Sequence, residues 1–285
     1  MSKIILMFPG QGSQFKGMGA DLFRDYPKEV EQASSILGYD IQDLCLFDPE
    51  QKLNLTRYTQ PAIYFVSCLY YIKNYLEKNI SPSFLCGHSL GEYSAIFAAE
   101  VYDLFTGLKI VKKRAELMSE VKNGSMMAVL GIDALKSQDI LNKLGIEDID
   151  IANYNSPEQI VLSGTIEQIQ NAKNFLEKEN YKCIELNVSG AFHSKQMEKI
   201  MPNFMRFLVD IPFNNPKVEV ICTSTASPLE NEYILENLSF QLIRPVKWIQ
   251  TILYLVDQKP DTFIESEPGK VLTTLTDKIV SSNQR

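Results

Sequence analysis

The pentapeptide Gly87-His88-Ser89-Leu90-Gly91 lies between a short apolar run, Phe84-Leu85-Cys86, and a stretch from Glu92 to Ala99 with helical character. Glycines on either side of a serine permit a sharp strand-to-helix turn with the serine at its apex. A serine in that position is a poor nucleophile until a neighbouring base takes its proton, and histidine is the commonest such base. The chain contains only two histidines. His88 directly precedes Ser89, so at an extended strand end its side chain is expected to point the other way. His193 is therefore the expected base. The plainer alternative is a glycine-bracketed turn that packs a buried strand against a helix and does no chemistry.

The surroundings of His193 favour the chemical reading. Ser189-Gly190-Ala191-Phe192-His193-Ser194 follows a strand-like run, Cys183 to Val188, and its small residues let a side chain approach a cleft. A lone histidine is more often a satisfied core or surface residue, and it is the pairing with Ser89 that lifts His193 above that reading.

With 285 residues, 45% of them hydrophobic and 22% charged, the chain is long enough for one large domain, or for one carrying a sizeable insertion. Short apolar strands alternate with amphipathic helices, which predicts an α/β fold with a mostly parallel sheet. Residues 126–188 break this rhythm. Met126–Ile132 reads as a strand and Leu135–Leu144 as a helix. Two strands follow at Asp150–Tyr154 and Gln159–Ser163, then a helix at Ile166–Glu179 and a strand at Lys182–Val188. The order β-α-β-β-α-β is ferredoxin-like. The expected organisation is thus a catalytic body of residues 1–124 and 190–285 with a subdomain, 125–189, inserted in it. The cleft is expected between the two, because Ser89 precedes the insertion and His193 follows it.

A net charge of −7 argues against general nucleic-acid binding. No apolar run approaches a membrane span, and Lys3–Phe8, stopped by Pro9-Gly10, reads as a buried strand and not as a signal peptide. Five scattered cysteines without metal-ligand spacing read as reduced thiols of a cytoplasmic protein.

Asp103 is a plausible N-cap for a helix running to about Val121 and ended by Asn123-Gly124. Leu104, Leu108, Val111, Ala115 and Met118 form its apolar face, opposite Lys109, Lys112, Lys113, Glu116 and Glu120. Arg114 projects on the apolar side. A buried guanidinium calls for an anion. That anion is either a buried Asp or Glu, with snorkelling to the edge a further option, or a carboxylate on a substrate gripped bidentately. Near the N-terminus, Gly10-Gln11-Gly12 lacks the third glycine of a dinucleotide fingerprint and any Lys-Ser/Thr ending. It is better suited to presenting the Gln11 N–H which, with the Leu90 N–H, would complete an oxyanion hole.

Phe-Pro-Gly-Gln-Gly-Ser-Gln (8–14), Thr-Gln-Pro-Ala (59–62), Gly-His-Ser-Leu-Gly-Glu-Tyr-Ser-Ala (87–95) and Lys-Arg-x-x-x-Met (113–118) together resemble the malonyl-CoA:acyl carrier protein transacylases. So do Asn-Ser-Pro-Glu-Gln-Ile-Val-Leu-Ser-Gly (155–164), Gly-Ala-Phe-His-Ser (190–194) and Pro-Gly-Lys-Val-Leu (268–272), in order over nearly the whole chain. Gly-Ala-Phe-His is closest in character to the discrete acyltransferases that serve polyketide synthases in trans. The resemblance implies an α/β-hydrolase-like body with a ferredoxin-like insertion. It makes Ser89 the nucleophile, His193 the base, Gln11 and Leu90 the oxyanion hole, and Arg114 the partner of the malonate carboxylate. Gln60, His88 and Phe192 would contribute to the substrate pocket. The family's histidine is oriented by a main-chain carbonyl just before a proline, here that of Arg244 before Pro245, where many relatives have asparagine. Glu267 is another departure, at a position where relatives often have glycine.

The activity so implied is transfer of malonyl from malonyl-CoA, through a malonyl-serine ester, to the phosphopantetheine thiol of an acyl carrier protein, with no metal or tightly held cofactor. The alternatives are a fatty-acid-synthesis transacylase, an editing hydrolase of the same fold, and a non-catalytic carrier-protein docking module. Carrier proteins are generally acidic, so Lys195 and Lys199, which follow His193 at helical spacing, are expected to meet the carrier, unless they are simply a solvated face.

Overall fold

The structure, a computed structural model, describes residues 2–146, 149–188 and 190–283. Its strands are β1 (Ile4–Phe8), β2 (Phe84–Gly87), β3 (Gly124–Leu130), β4 (Asp150–Ser156), β5 (Gln159–Thr165), β6 (Lys182–Glu185), β7 (Glu219–Cys222), β8 (Ser227–Pro228) and β9 (Thr262–Glu265). The helices that frame the site are α1 (Thr56–Tyr71), α2 (Gly91–Ala98), α3 (Leu104–Glu120), α4 (Ser137–Lys143), α5 (Ile166–Lys178), α6 (Ile234–Phe240), α7 (Trp248–Asp257) and α8 (Val271–Asn283).

The strands form two sheets. The body sheet has the order β8-β7-β2-β1-β9, parallel throughout except for the antiparallel edge strand β8. The inserted sheet has the order β4-β5-β3-β6, all antiparallel, with α4 and α5 as its crossovers. In this order the first and third inserted strands lie at the centre, which is the ferredoxin-like arrangement, so the expected α/β class holds. β6 ends at Glu185, short of the expected Val188, although Leu186 still donates its N–H to the Met126 carbonyl at 2.9 Å. Residue 189, the expected end of the insertion, lies outside the described residues.

Strand alternation divides the apolar side chains into two cores. Leu6, Phe8, Leu85, Met126 and Ala128 pack with α1, α2 and α3. Ile5, Met7, Phe84, Cys86, Met127 and Val129 pack with α5, α7 and α8. Successive residues of one strand point to opposite faces, so β1, β2 and β3 each serve both cores. The second core contains residues of both sheets, and the outer edge of the inserted sheet is also tied down by main-chain bonds. Tyr154 N–H donates to the Val246 carbonyl at 2.9 Å, and Val246 N–H to Ala152 at 2.8 Å. All five cysteines are free thiols.

The β2–α2 turn has room for glycine alone at two positions. A Cβ on Gly91 would run into the Phe8 carbonyl of β1, and one on Gly87 into the Gly91 backbone. These contacts are with main chain, which cannot step aside as a side chain tip can. Gly91→Ala is therefore expected to destabilise the protein by about 2 kcal/mol, in the range of overpacked cores. Urea unfolding of the variant checks this, and a midpoint equal to the parent's would contradict it.

Candidate active site

The turn places Ser89 at φ 51°, in the left-handed region that serine seldom occupies. Its hydroxyl thereby leaves the strand end and meets the second histidine: Ser89 Oγ lies 2.7 Å from His193 Nε2. His193 also has positive φ, 55°, on the irregular segment that follows the inserted sheet. Its Nδ1 lies 2.9 Å from the Gln241 carbonyl and 3.0 Å from the Arg244 carbonyl. Carbonyls only accept, so Nδ1 carries the proton and Nε2 presents its lone pair to the serine hydroxyl. Burial pushes His193 down from an ordinary 6.5 to about 3, aided by the neighbouring Arg114 charge and by the cost of protonating it beside His88, so its ring is neutral near neutral pH. A neutral imidazole aimed at a serine hydroxyl is what a general base requires.

Arg114 is 1% exposed and comes from the helix that Asp103 caps, its carboxylate accepting from the Phe105 and Thr106 N–H groups at 2.9 Å each. The guanidinium lies over the Tyr93 ring, 5.1 Å from its centroid. Nη1 donates to Gln60 Oε1 at 2.7 Å, and Nη2 donates to Gln241 Oε1 and to Ser89 Oγ, both at 3.2 Å. Every one of these acceptors is neutral, and Nε has no partner among the described residues. No Asp or Glu among the described residues is within ion-pair distance of Arg114. The internal salt bridge left open by the sequence is not what the fold builds. The charge is instead held beside the serine with a free edge.

The other expected residues separate by position. Gly10 packs so closely on the His88 main chain that a Cβ would strike the His88 carbonyl, which sets the Gln11 loop beside the turn. The Gln11 side chain donates to Thr56 Oγ1 at 3.2 Å. Neither the Gln11 nor the Leu90 N–H has an acceptor among the described residues. Gln60 reaches the site through Arg114. His88, expected to bind substrate, has its Nε2 occupied by Asn155 Oδ1 at 2.9 Å, with its ring 5.6 Å from that of Trp248. It joins the turn to the inserted sheet because a strand end alternates its side chains, so Ser89 and His88 face opposite ways. Phe192, 5% exposed, is packed in the first hydrophobic core. Arg244 contributes its carbonyl, while its side chain stacks on Phe240 at 4.7 Å. Lys195 and Lys199 are exposed, but they stand on a 3-10 turn and irregular turns instead of on a helix. The second acceptor for His193, the Gln241 carbonyl, was not visible in the sequence, since a main-chain atom leaves no residue-type signature. No cluster of His, Cys, Asp or Glu among the described residues is arranged to hold a metal ion, and no helix among them is long and apolar enough to cross a membrane.

The chain matches the acyl transferase domain family over residues 5–284. It belongs to that family. Among relatives, it is 44% identical to the polyketide biosynthesis malonyl CoA-acyl carrier protein transacylase PksC of Bacillus subtilis, over 97% of this chain and 96% of PksC. Among solved structures, it superposes on malonyl CoA-acyl carrier protein transacylase from Burkholderia pseudomallei with a TM-score of 0.94 at 39% identity, covering 99% of both chains. A malonyl-transacylase solved in complex with a type II PKS acyl-carrier protein superposes with a TM-score of 0.92 at 33% identity, over 98% of this chain and 94% of that one.

The lowered proton affinity of His193 carries a stability signature. Between pH 6.5 and about 3 the unfolded chain holds a proton on this residue that the folded protein does not. Stability from this source is therefore fully present above pH 6.5 and is lost as the pH falls towards 3, at up to about 1.4 kcal/mol per pH unit. His88, also pushed down by burial, adds a dependence of the same sign. His193→Gln is expected to remove the first part, so its loss of stability between pH 7 and pH 5 should be about 2 kcal/mol smaller than the parent's. Urea unfolding at the two pH values checks this.

Proposed function

We propose that this protein is a malonyl-CoA:acyl carrier protein S-malonyltransferase that works by a serine–histidine dyad and supplies malonyl groups to a polyketide synthase in trans. The observation that carries the reading is the buried Arg114 guanidinium, which has no Asp or Glu within ion-pair distance among the described residues and lies 3.2 Å from the Ser89 oxygen. A carboxylate on the acyl group is the anion that such a position accepts, and the relatives' names as malonyl transacylases agree with it. The polyketide assignment rests on the name and the 44% identity of PksC. We assign residues 1–124 and 190–285 to the catalytic body and 125–189 to the subdomain, and place the enzyme in the cytoplasm.

In the first half-reaction His193 Nε2 takes the Ser89 proton as Oγ attacks the thioester carbonyl. The tetrahedral oxyanion forms against the Gln11 and Leu90 N–H groups, each worth about 3 kcal/mol of transition-state stabilisation. Collapse expels the coenzyme A thiolate, which takes the proton from His193 and leaves a malonyl-serine ester. In the second half-reaction the phosphopantetheine thiol gives its proton to the same nitrogen and attacks the ester, and Ser89 regains a proton as it leaves. Arg114 meets the free carboxylate through its Nε–H, unpartnered among the described residues, and one Nη1 hydrogen is also unused. The same residue selects against acetyl, because a neutral acyl group leaves the desolvated guanidinium unpaired.

Intact-protein mass spectrometry after incubation with malonyl-CoA tests the reading. The parent is expected to gain one malonyl group, and added holo-carrier protein should remove it. Ser89→Ala should gain none, and His193→Ala should load about two to four decades more slowly. Release of the malonyl group to water as fast without carrier as with it would make the protein an editing hydrolase. Arg114→Ala is expected to weaken malonyl loading by about 2–5 kcal/mol and to raise the acetyl-to-malonyl ratio. An unchanged ratio would remove the case for malonate.

A further inference from the structure

The dyad lacks the acid that usually orients a catalytic histidine, yet a carboxylate is buried one helical turn away. Glu92 is fully buried in α2, just after the nucleophile turn. Its Oε2 accepts from the Thr223 N–H at 2.7 Å and the Thr223 hydroxyl at 2.8 Å. Its Oε1 accepts from Asn237 Nδ2 at 2.7 Å. Asn237 sets its Nδ2 towards the carboxylate, while its Oδ1 accepts from the Ser224 hydroxyl at 3.0 Å. Both carboxylate oxygens thus face donors. Burial raises the proton affinity of Glu92, and these donors, with the Gln241 amide, oppose the rise.

Each donor leads to one of the carbonyls that hold His193. Asn237 is one turn before Gln241 in the same chain direction, and the Gln241 N–H donates to the Asn237 carbonyl at 2.9 Å. The Thr223 carbonyl accepts from the Lys247 N–H at 2.7 Å, anchoring the segment that contains Arg244. Gln241 also donates its side-chain Nε2 to the Ser89 carbonyl at 3.1 Å, which turns its Oε1 towards Arg114. The charged and titratable groups around this network include Glu92, Arg114, Tyr93, Tyr102, Cys86, Cys222, His88 and His193.

We propose that Glu92 is a positioning residue for the dyad, orienting His193 at one remove by holding the Gln241 and Arg244 carbonyls in place. It performs through two relays the task that an aspartate bound directly to the ring performs in a serine–histidine–aspartate triad. This rests on the transferase reading only for its kinetic readout, since the histidine geometry can be observed without substrate.

Glu92→Gln tests it, because the amide removes the charge and can keep an oxygen on the Thr223 N–H only by turning its NH2 to Asn237, which must then reverse its own amide. The kcat for loading from malonyl-CoA is expected to fall on the order of 100-fold, the usual cost of a small displacement of a reacting group, with KM within about threefold of the parent. The His193 Nδ1 proton resonance, assignable in a chain with two histidines by comparison with His193→Gln, is expected to shift or broaden at temperatures where the fold is intact. Asn237→Ala, which cuts one relay and leaves the carboxylate, should change kcat and the resonance in the same direction. If Glu92→Gln does not fold, Asn237→Ala decides by the same two readouts. A lower melting temperature with kcat and the resonance unchanged would reduce Glu92 to a stabilising residue and overturn the proposal. A parent that never loads malonyl would overturn the transferase reading, while the resonance would still test the positioning.

Discussion

The contact between β1 and the start of α2 sets the geometry of the whole site. Gly91 touches the Phe8 carbonyl, Gly87 touches Gly91, and Gly10 touches the His88 carbonyl, so three backbones meet with no side chain between them. In that space the chain can turn from β2 into α2 only with Ser89 in the left-handed region, at a cost of about 1–3 kcal/mol. Packing of α2 between β1, β2 and α3 offsets the strain. The same approach brings the Gln11 loop next to the serine, where the Gln11 and Leu90 N–H groups have no acceptor among the described residues.

Electrostatics sets the protonation of the site. A guanidinium and an imidazole share one serine oxygen in a region from which water is largely excluded. Burial disfavours charge on both, but the guanidinium keeps its charge and the imidazole gives its up, because their intrinsic proton affinities are far apart. The outcome is a neutral base beside a cation that has no acid at ion-pair distance among the described residues. Main-chain carbonyls suit this arrangement better than an aspartate at Nδ1, which would favour the imidazolium and offset the positive field around Arg114. The one buried carboxylate nearby, Glu92, is turned instead towards Thr223 and Asn237.

Local chemistry made much of this legible. The Asp103 cap, the turn at Ser89 and the alternation of the inserted strands are short-range features, governed by a residue and its near neighbours, and they appear as read. The shortfalls share a cause. β6 stops early because its pairing with β3 ends, which depends on a strand more than fifty positions away. His88 reads as a pocket residue beside the nucleophile until Asn155, brought in by the inserted sheet, takes its ring nitrogen. Lys195 and Lys199 have helical spacing, but the chain leaving His193 is bent by the positive φ that points the imidazole inward.

From residue types alone came the candidate nucleophile, the candidate base and the anomalous arginine, because only a few side chains can do that chemistry and this chain has few histidines to choose from. The sequence left open whether Arg114 served an internal ion pair or a ligand. Tertiary structure surrounds the guanidinium with Gln60, Gln241 and Ser89 from three separate segments, and with no acid at ion-pair distance among the described residues. It also decided how His193 is held, since both acceptors are main-chain carbonyls that any residue carries. Side-chain chemistry is written in the sequence, whereas the placing of a carbonyl depends on the path of the folded chain.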